Sequence, residues 1–157
     1  MTWYARPSLR MTRLFPLGRL GVCIDEAAGR GFARILRQLR ARGQPDIHDV
    51  WELALNETSD EALLSDLAKR NFAALVTRDS SMLSASIRRN VWRASLISIF
   101  MCDGKWGNLP LFEIARGLLW YWPLIVRQIN AGPQGGVGRL RAEPGTSGMQ
   151  QVLTDPE

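Results

Sequence analysis

The sequence predicts an α/β protein: a central, mostly parallel sheet of four to five strands in three layers, α/β/α. Three observations carry that prediction. Short, largely apolar runs recur along the chain, at residues 20–24, 72–76 and 94–102. Strands of that kind belong to parallel sheets, which helices cover on both faces. Segments with apolar residues at helical spacing separate the runs. Finally, the first two runs stop on carboxylates, Asp25-Glu26 and Asp79. In open α/β sheets, ligands bind just beyond the carboxyl ends of the strands. Capping of the following helix is the competing role for Asp25, since Asp is a favoured N-cap.

With 157 residues the chain is long enough for one domain with a real core. Lys and Arg number 20 against 15 for Asp and Glu, a net charge of +5. That balance suits a polyanionic partner such as RNA. The acids matter more for where they fall, at strand ends and helix starts, so a local acidic pocket is expected on a basic surface. Metal needs carboxylates and phosphate needs cations, a combination that suits a metal-dependent nuclease. Cys23 and Cys102 lie in apolar runs without paired metal-ligand spacing, and His48 is the single histidine. A zinc site is therefore not expected, and the thiols read as buried and reduced. No apolar run reaches the length of a membrane span, and no signal peptide is recognisable. The expected location is the cytoplasm, with no membrane association.

The elements follow in order. Residues 1–18 are rich in Arg and Pro and read as a basic arm, with Met11 as an alternative start. The domain itself is expected over residues 19–142. After the opening strand, Phe32, Ile35, Leu36 and Leu39 recur at helical spacing, with Arg30, Arg34, Arg37, Arg40 and Arg42 between them and Gly43 as the stop. Those arginines are either a solvated face or a rim that guides a phosphate backbone. A second strand is read at 47–50. Thr58-x-x-Glu61 matches a capping box opening a helix that runs to about Arg70, with Leu63, Leu64, Leu67 and Ala68 inward. The strand ending at Asp79 comes next. A right-handed crossover brings it beside the first strand, so Asp25 and Asp79 lie side by side. A loop and short helix fill 80–93 and a strand 94–102. A long helix then spans 109–130, its Trp-rich stripe reading as core and partly as a homodimer surface, with a kink at Pro123. Residues 137–141 are expected to be an edge strand, and 143–157 a disordered tail.

Two segments carry a family resemblance. Ser59-Asp60-Glu61-Ala62-Leu63-Leu64-Ser65-Asp66-Leu67-Ala68, followed by Ala74-Leu75-Val76-Thr77-Arg78-Asp79, resembles the second half of PIN-like domains, and Ile24-Asp25-Glu26 before a helix resembles their start. The nearest likeness is to compact members, including VapC-type toxins of toxin–antitoxin pairs. The resemblance implies a PIN-like fold and a Mg²⁺- or Mn²⁺-dependent ribonuclease. Its metal ligands would be Asp25, Asp60 and Asp79, with Glu26 as the acidic neighbour. RNA would be the substrate, held by Arg30, Arg34, Arg37 and Arg78, and a small antitoxin protein would be a partner. Many relatives carry an acid and an aromatic shortly after T-R-D. Here Ser80, Ser81, Met82 and Leu83 follow, which leaves the fourth ligand open among Glu52, Glu57 and Glu61. Two other functions fit parts of the pattern. One is an interaction module with an incomplete metal site. The other is a phosphoacceptor receiver domain, for which Lys105 would come one strand too early.

Overall fold

In a computed structural model of the chain, the structure describes residues 21–131, 135–140 and 150–151, apart from 29, 40, 43 and 80. The basic arm at 1–18 and most of the expected tail lie outside the described residues. One six-stranded sheet organises the molecule: β1 (Gly21–Ile24), β2 (Ile47–Asp49), β3 (Phe72–Thr77), β4 (Ser98–Cys102), β5 (Val137–Leu140) and β6 (Gln150–Gln151). Their spatial order is β2-β1-β3-β4-β5-β6. The first five are parallel, and β6 pairs antiparallel with β5. The expected strand at 137–141 is thus not the edge, because β6 follows it from within the span read as a tail.

Helices α1 (Phe32–Leu39) and α4 (Leu111–Ala131) cover one face; α2 (Asp60–Lys69) and α3 (Ser86–Ser95) cover the other. Strand periodicity divides the core between them. Val22, Ile24, Val76, Phe100 and Cys102 pack towards α1 and α4. Cys23, Leu75, Ile99 and Met101 pack towards α2 and α3. Both thiols are buried, which pushes their pKa values up, Cys102 to about 12. Burying the two cores supplies most of the stability, at roughly 1.5–3 kcal/mol per fully buried large aliphatic side chain.

Several boundaries differ from the sequence expectation. In α1, Phe32, Ala33 and Leu36 face the sheet, while Ile35 and Leu39 are exposed. The inward stripe is narrower than the apolar spacing suggested. The cap of α2 is Ser59 rather than Thr58: its hydroxyl accepts from the Ala62 N–H at 3.3 Å. Glu61 is therefore not a capping-box partner. Helix α3 extends through Ala94 and Ser95, residues expected in the following strand. Leu96 then takes a left-handed conformation (φ 58°) that ends the helix, and the strand starts at Ser98. A 3-10 turn at Gly104–Asn108 delivers Trp106 into the core, where its indole N–H donates to the Leu140 carbonyl at 3.0 Å. Helix α4 continues through Pro123, which lies on its exposed side. Its Tyr121 and Trp122 are buried, but Phe112 is 73% exposed and Trp120 61%.

Candidate active site

Asp25 directly follows β1, and its N–H extends the parallel ladder by donating to the Val76 carbonyl at 2.9 Å. Because Cys23 faces α2 and α3, strand alternation turns Asp25 to that side as well. Leu75 and Thr77 of β3 share the same face. Thr77 is fully buried and donates its hydroxyl to Asp25 Oδ2 at 2.6 Å. The Glu26 N–H donates to Asp25 Oδ1 at 2.7 Å. Each carboxylate oxygen is thus fixed by one donor and keeps a second lone pair. Asp25 is 9% exposed. Burial raises its pKa; the Thr77 and Glu26 hydrogen bonds work against that rise, and the negative charges of Asp60 and Glu26 add to it. A buried carboxylate crowded by like charges is the electrostatic pattern of a functional site.

The other acids have their own partners. Asp60 is the first residue of α2, and its Oδ2 accepts from Arg88 Nη1 at 2.8 Å. The Asp79 backbone N–H donates to Thr77 Oγ1 at 3.0 Å, so one hydroxyl links the ends of β1 and β3. The Asp79 Oδ1 accepts from both the N–H and the hydroxyl of Ser81, at 2.8 and 2.6 Å. This is a side-chain turn of the kind Asp favours after a strand. Glu26 is exposed, and its Oε1 accepts from the Glu57 N–H, which steadies a residue with φ 61° in the loop before α2.

The four arginines expected at RNA divide. Arg37 forms an ion pair with Glu52 through both terminal nitrogens and also donates to the Ile47 carbonyl. Arg78 alternates with Thr77 and turns to the opposite face. It donates to the Gly107 carbonyl at 3.2 Å, and its buried Nε has no partner. Arg34 is exposed. Arg30 is exposed too, with its guanidinium 5.8 Å from the centroid of Trp51, beyond the carboxyl end of β2.

Sequence reasoning missed Arg88 and Ser81. Ser81 stood only as part of the departure from T-R-D. Arg88 carried no local signal, because its role depends on α3 packing beside α2.

These features define a class: a parallel α/β protein with carboxylates at the carboxyl edge of its sheet. Residues 21–104, just over half of the chain, match the family model described as a PIN like domain. The chain belongs to the PIN-like domain family. No curated protein and no solved structure matches it. The order of the five parallel strands, 2-1-3-4-5, is also that of receiver-type folds; the family match assigns the chain to PIN-like domains.

PIN domains are commonly nucleases and generally use a divalent metal. The donors here suit a hard cation, since all are oxygens, and the charge crowding Asp25 is what such an ion relieves. Among the described residues, however, no three acids are gathered closely enough to hold one ion. Among the described residues no helix is long and apolar enough to cross a membrane.

Proposed function

We propose that the chain is a metal-dependent endoribonuclease whose hydrolytic site is the acidic cleft at the ends of β1 and β3. The observation that carries this reading is Asp25: a buried carboxylate held by two hydrogen bonds and crowded by Asp60. Asp25, Asp60 and Asp79 would hold Mg²⁺ or Mn²⁺, with Glu26 beside them. Such an ion supplies a bound water of lowered pKa and neutralises charge on the phosphate oxygens. Thr77 keeps Asp25 in one orientation and ties the Asp79 backbone to it. Arg30 offers the RNA a cation, and Trp51 offers an aromatic ring, at the carboxyl end of the sheet. Arg34 adds an exposed charge on α1, which begins two residues after Arg30. In the sequence resemblance alone, the reading extends to the toxin of a toxin–antitoxin pair acting in the cytoplasm with a small antitoxin protein. The exposed Phe112 and Trp120 are the residues through which a homodimer would form.

The test is cleavage of RNA by the purified chain with Mn²⁺, against Asp25→Asn prepared identically. Wild type is expected to cut and the variant to lose cutting. Equal cleavage by both, with contaminating nucleases excluded, ends this reading.

A second reading is favoured by one observation: Asp25, Glu26, Asp60 and Asp79 all have internal donors. A PIN-like module that binds RNA or protein without metal would have that arrangement. Calorimetry showing no uptake of Mg²⁺ or Mn²⁺ at millimolar concentration supports it.

A further inference from the structure

We propose that the β2 edge of the sheet is a self-complementary docking strand for a second copy of the chain, held shut by a side-chain clamp of Arg37 and Glu52. An edge strand presents backbone groups that template pairing with another chain. In β2, alternate residues turn to β1. The Asp46 carbonyl accepts from the Val22 N–H at 2.7 Å, and the Val50 N–H donates to the Ile24 carbonyl at 3.1 Å. Ile47 and Asp49 therefore direct their N–H and C=O groups outward. Each of those four groups has a partner that is not a strand. The Ile47 carbonyl accepts from Arg37 Nη1 at 2.8 Å, and the Ile47 N–H donates to Asp46 Oδ1 at 3.2 Å. The Asp49 N–H donates to Glu52 Oε2 at 3.2 Å, and the Asp49 carbonyl accepts from the Leu53 N–H at 3.3 Å.

Arg37 and Glu52 hold one another as well as the strand. The guanidinium reaches from α1 and pairs with both Glu52 oxygens. That hydrogen bonding holds the Glu52 carboxyl below its usual range and the Arg37 guanidinium above its own, so both stay charged at neutral pH. Yet the side chains are 28% and 34% exposed, and an ion pair open to water is a weak fastening. The clamp covers the edge without belonging to the core. What lies beneath suits one occupant, the same strand of another copy. Set antiparallel about a two-fold axis at His48, Ile47 of each copy faces Asp49 of the other. Those are the residues with outward groups, so each facing pair exchanges two N–H···O=C bonds. The Asp49 carbonyl keeps a second lone pair for this bond. The two His48 residues then oppose each other as the closer pair without hydrogen bonds. No other antiparallel register of β2 on itself uses both Ile47 and Asp49 of each copy.

The experiment is sedimentation velocity of the full chain over a range of concentrations, with amide hydrogen exchange read residue by residue. Wild type, Glu52→Ala and the double variant Arg37→Met with Glu52→Ala are compared. Each also carries Trp120→Glu, which removes association through α4, and circular dichroism checks folding. With the clamp intact the chain is expected to stay a monomer at every concentration. The double variant is expected to double its mass as concentration rises. In dilute Glu52→Ala the Asp49 amide exchanges roughly tenfold faster than with Glu52 present, since it loses a bond to a charged acceptor. On association the Ile47 and Asp49 amides regain protection. Adding His48→Glu to the double variant sets like charges directly opposite each other and abolishes the dimer. His48→Lys does the same, and an equal mixture of those two chains restores it. If the double variant does not fold, Arg37→Gln and Glu52→Gln carry the test singly, with weaker association expected. Folded chains with an open clamp that never exceed the monomer mass overturn the proposal. So does association that leaves Ile47 and Asp49 unprotected, or that survives His48→Glu, and so does the same dimer with the clamp intact. All of these leave the nuclease reading standing, because metal plays no part in the pairing.

Discussion

Replacing Thr77 by Val tests whether the cleft is held together by one hydroxyl. Valine matches threonine in shape and is expected to keep the strand, so the change isolates the oxygen. Two bonds disappear: donation to Asp25 Oδ2 at 2.6 Å and acceptance from the Asp79 N–H at 3.0 Å. A bond to a charged group contributes about 1.5–3 kcal/mol and a neutral one about 0.5–1.5 kcal/mol. Asp25 is too buried to recruit water freely, whereas the Asp79 backbone is only half-buried and recovers part of its loss. The net cost works out at about 2–3 kcal/mol, or a fall of roughly 4–12 °C in melting temperature for a chain of this size. Thr77→Ser keeps the oxygen and loses one buried methyl, for about 1 kcal/mol. The hydroxyl favours the ionised form of Asp25, so the Val penalty must shrink as acid protonates Asp25. Urea unfolding of the three proteins from neutral pH down through the acid range reads both effects. Val and Ser variants of equal stability, or a Val penalty independent of pH, would refute the claim that Thr77 holds an ionised Asp25.

Two further outcomes follow from the same geometry. Asp25→Asn is expected to be more stable than wild type at neutral pH, by about 1 kcal/mol, a common gain when a strained functional site is relieved. Asp25 has a raised pKa in the folded protein, so the native state binds its proton more tightly than the unfolded chain. Wild-type stability therefore falls as pH rises from the ordinary carboxylate range through the folded value. The advantage of Asn grows over that window and disappears below it, which paired urea melts across pH would show. Gly117→Ala on α4 is expected to destabilise despite alanine's better helix propensity. The added carbon would meet the Trp106 ring, closer than van der Waals contact at Cζ2 (3.2 Å) and Cζ3 (2.9 Å). That ring is fully buried and anchored to Leu140. Overpacking at about 1–3 kcal/mol outweighs a helix gain of at most about 1 kcal/mol, and thermal melts with tryptophan emission would report it.

Most of the fold could be read from the sequence, because fully apolar runs ending in acids have few other structural explanations. Residues 72–77 are a strand for that reason, and Asp25 and Asp79 follow from it. The reading failed where adjacent residues were equally acceptable. Thr58 and Ser59 both cap well, and only the path of the preceding loop selects Ser59. Ala94 to Ile97 continue an apolar run into β4, so the helix end at Leu96 had no compositional mark. Strand β6 is two residues long and depends on β5 for its pairing. Thr77 was accessible by alternation, since it lies two residues after inward Leu75. Arg88 was not, because its partner Asp60 is 28 residues away and belongs to another helix.

The same alternation changes what the basic residues can do. In Val76-Thr77-Arg78-Asp79, the strand sends Thr77 towards Asp25 and Arg78 towards the α4 side, where the Gly107 carbonyl receives it. Arg37 is also taken up internally, by Glu52. Helix α1 as a whole covers the face opposite α2 and α3, so its arginines do not line the acidic cleft. Arg30 is different because it precedes that helix and lies over Trp51, at the end of the sheet where the acids are. The net charge of +5 then acts on a polyanion mainly as a long-range field. Of the four arginines, Arg30 is the one that is exposed at the sheet end carrying the acids.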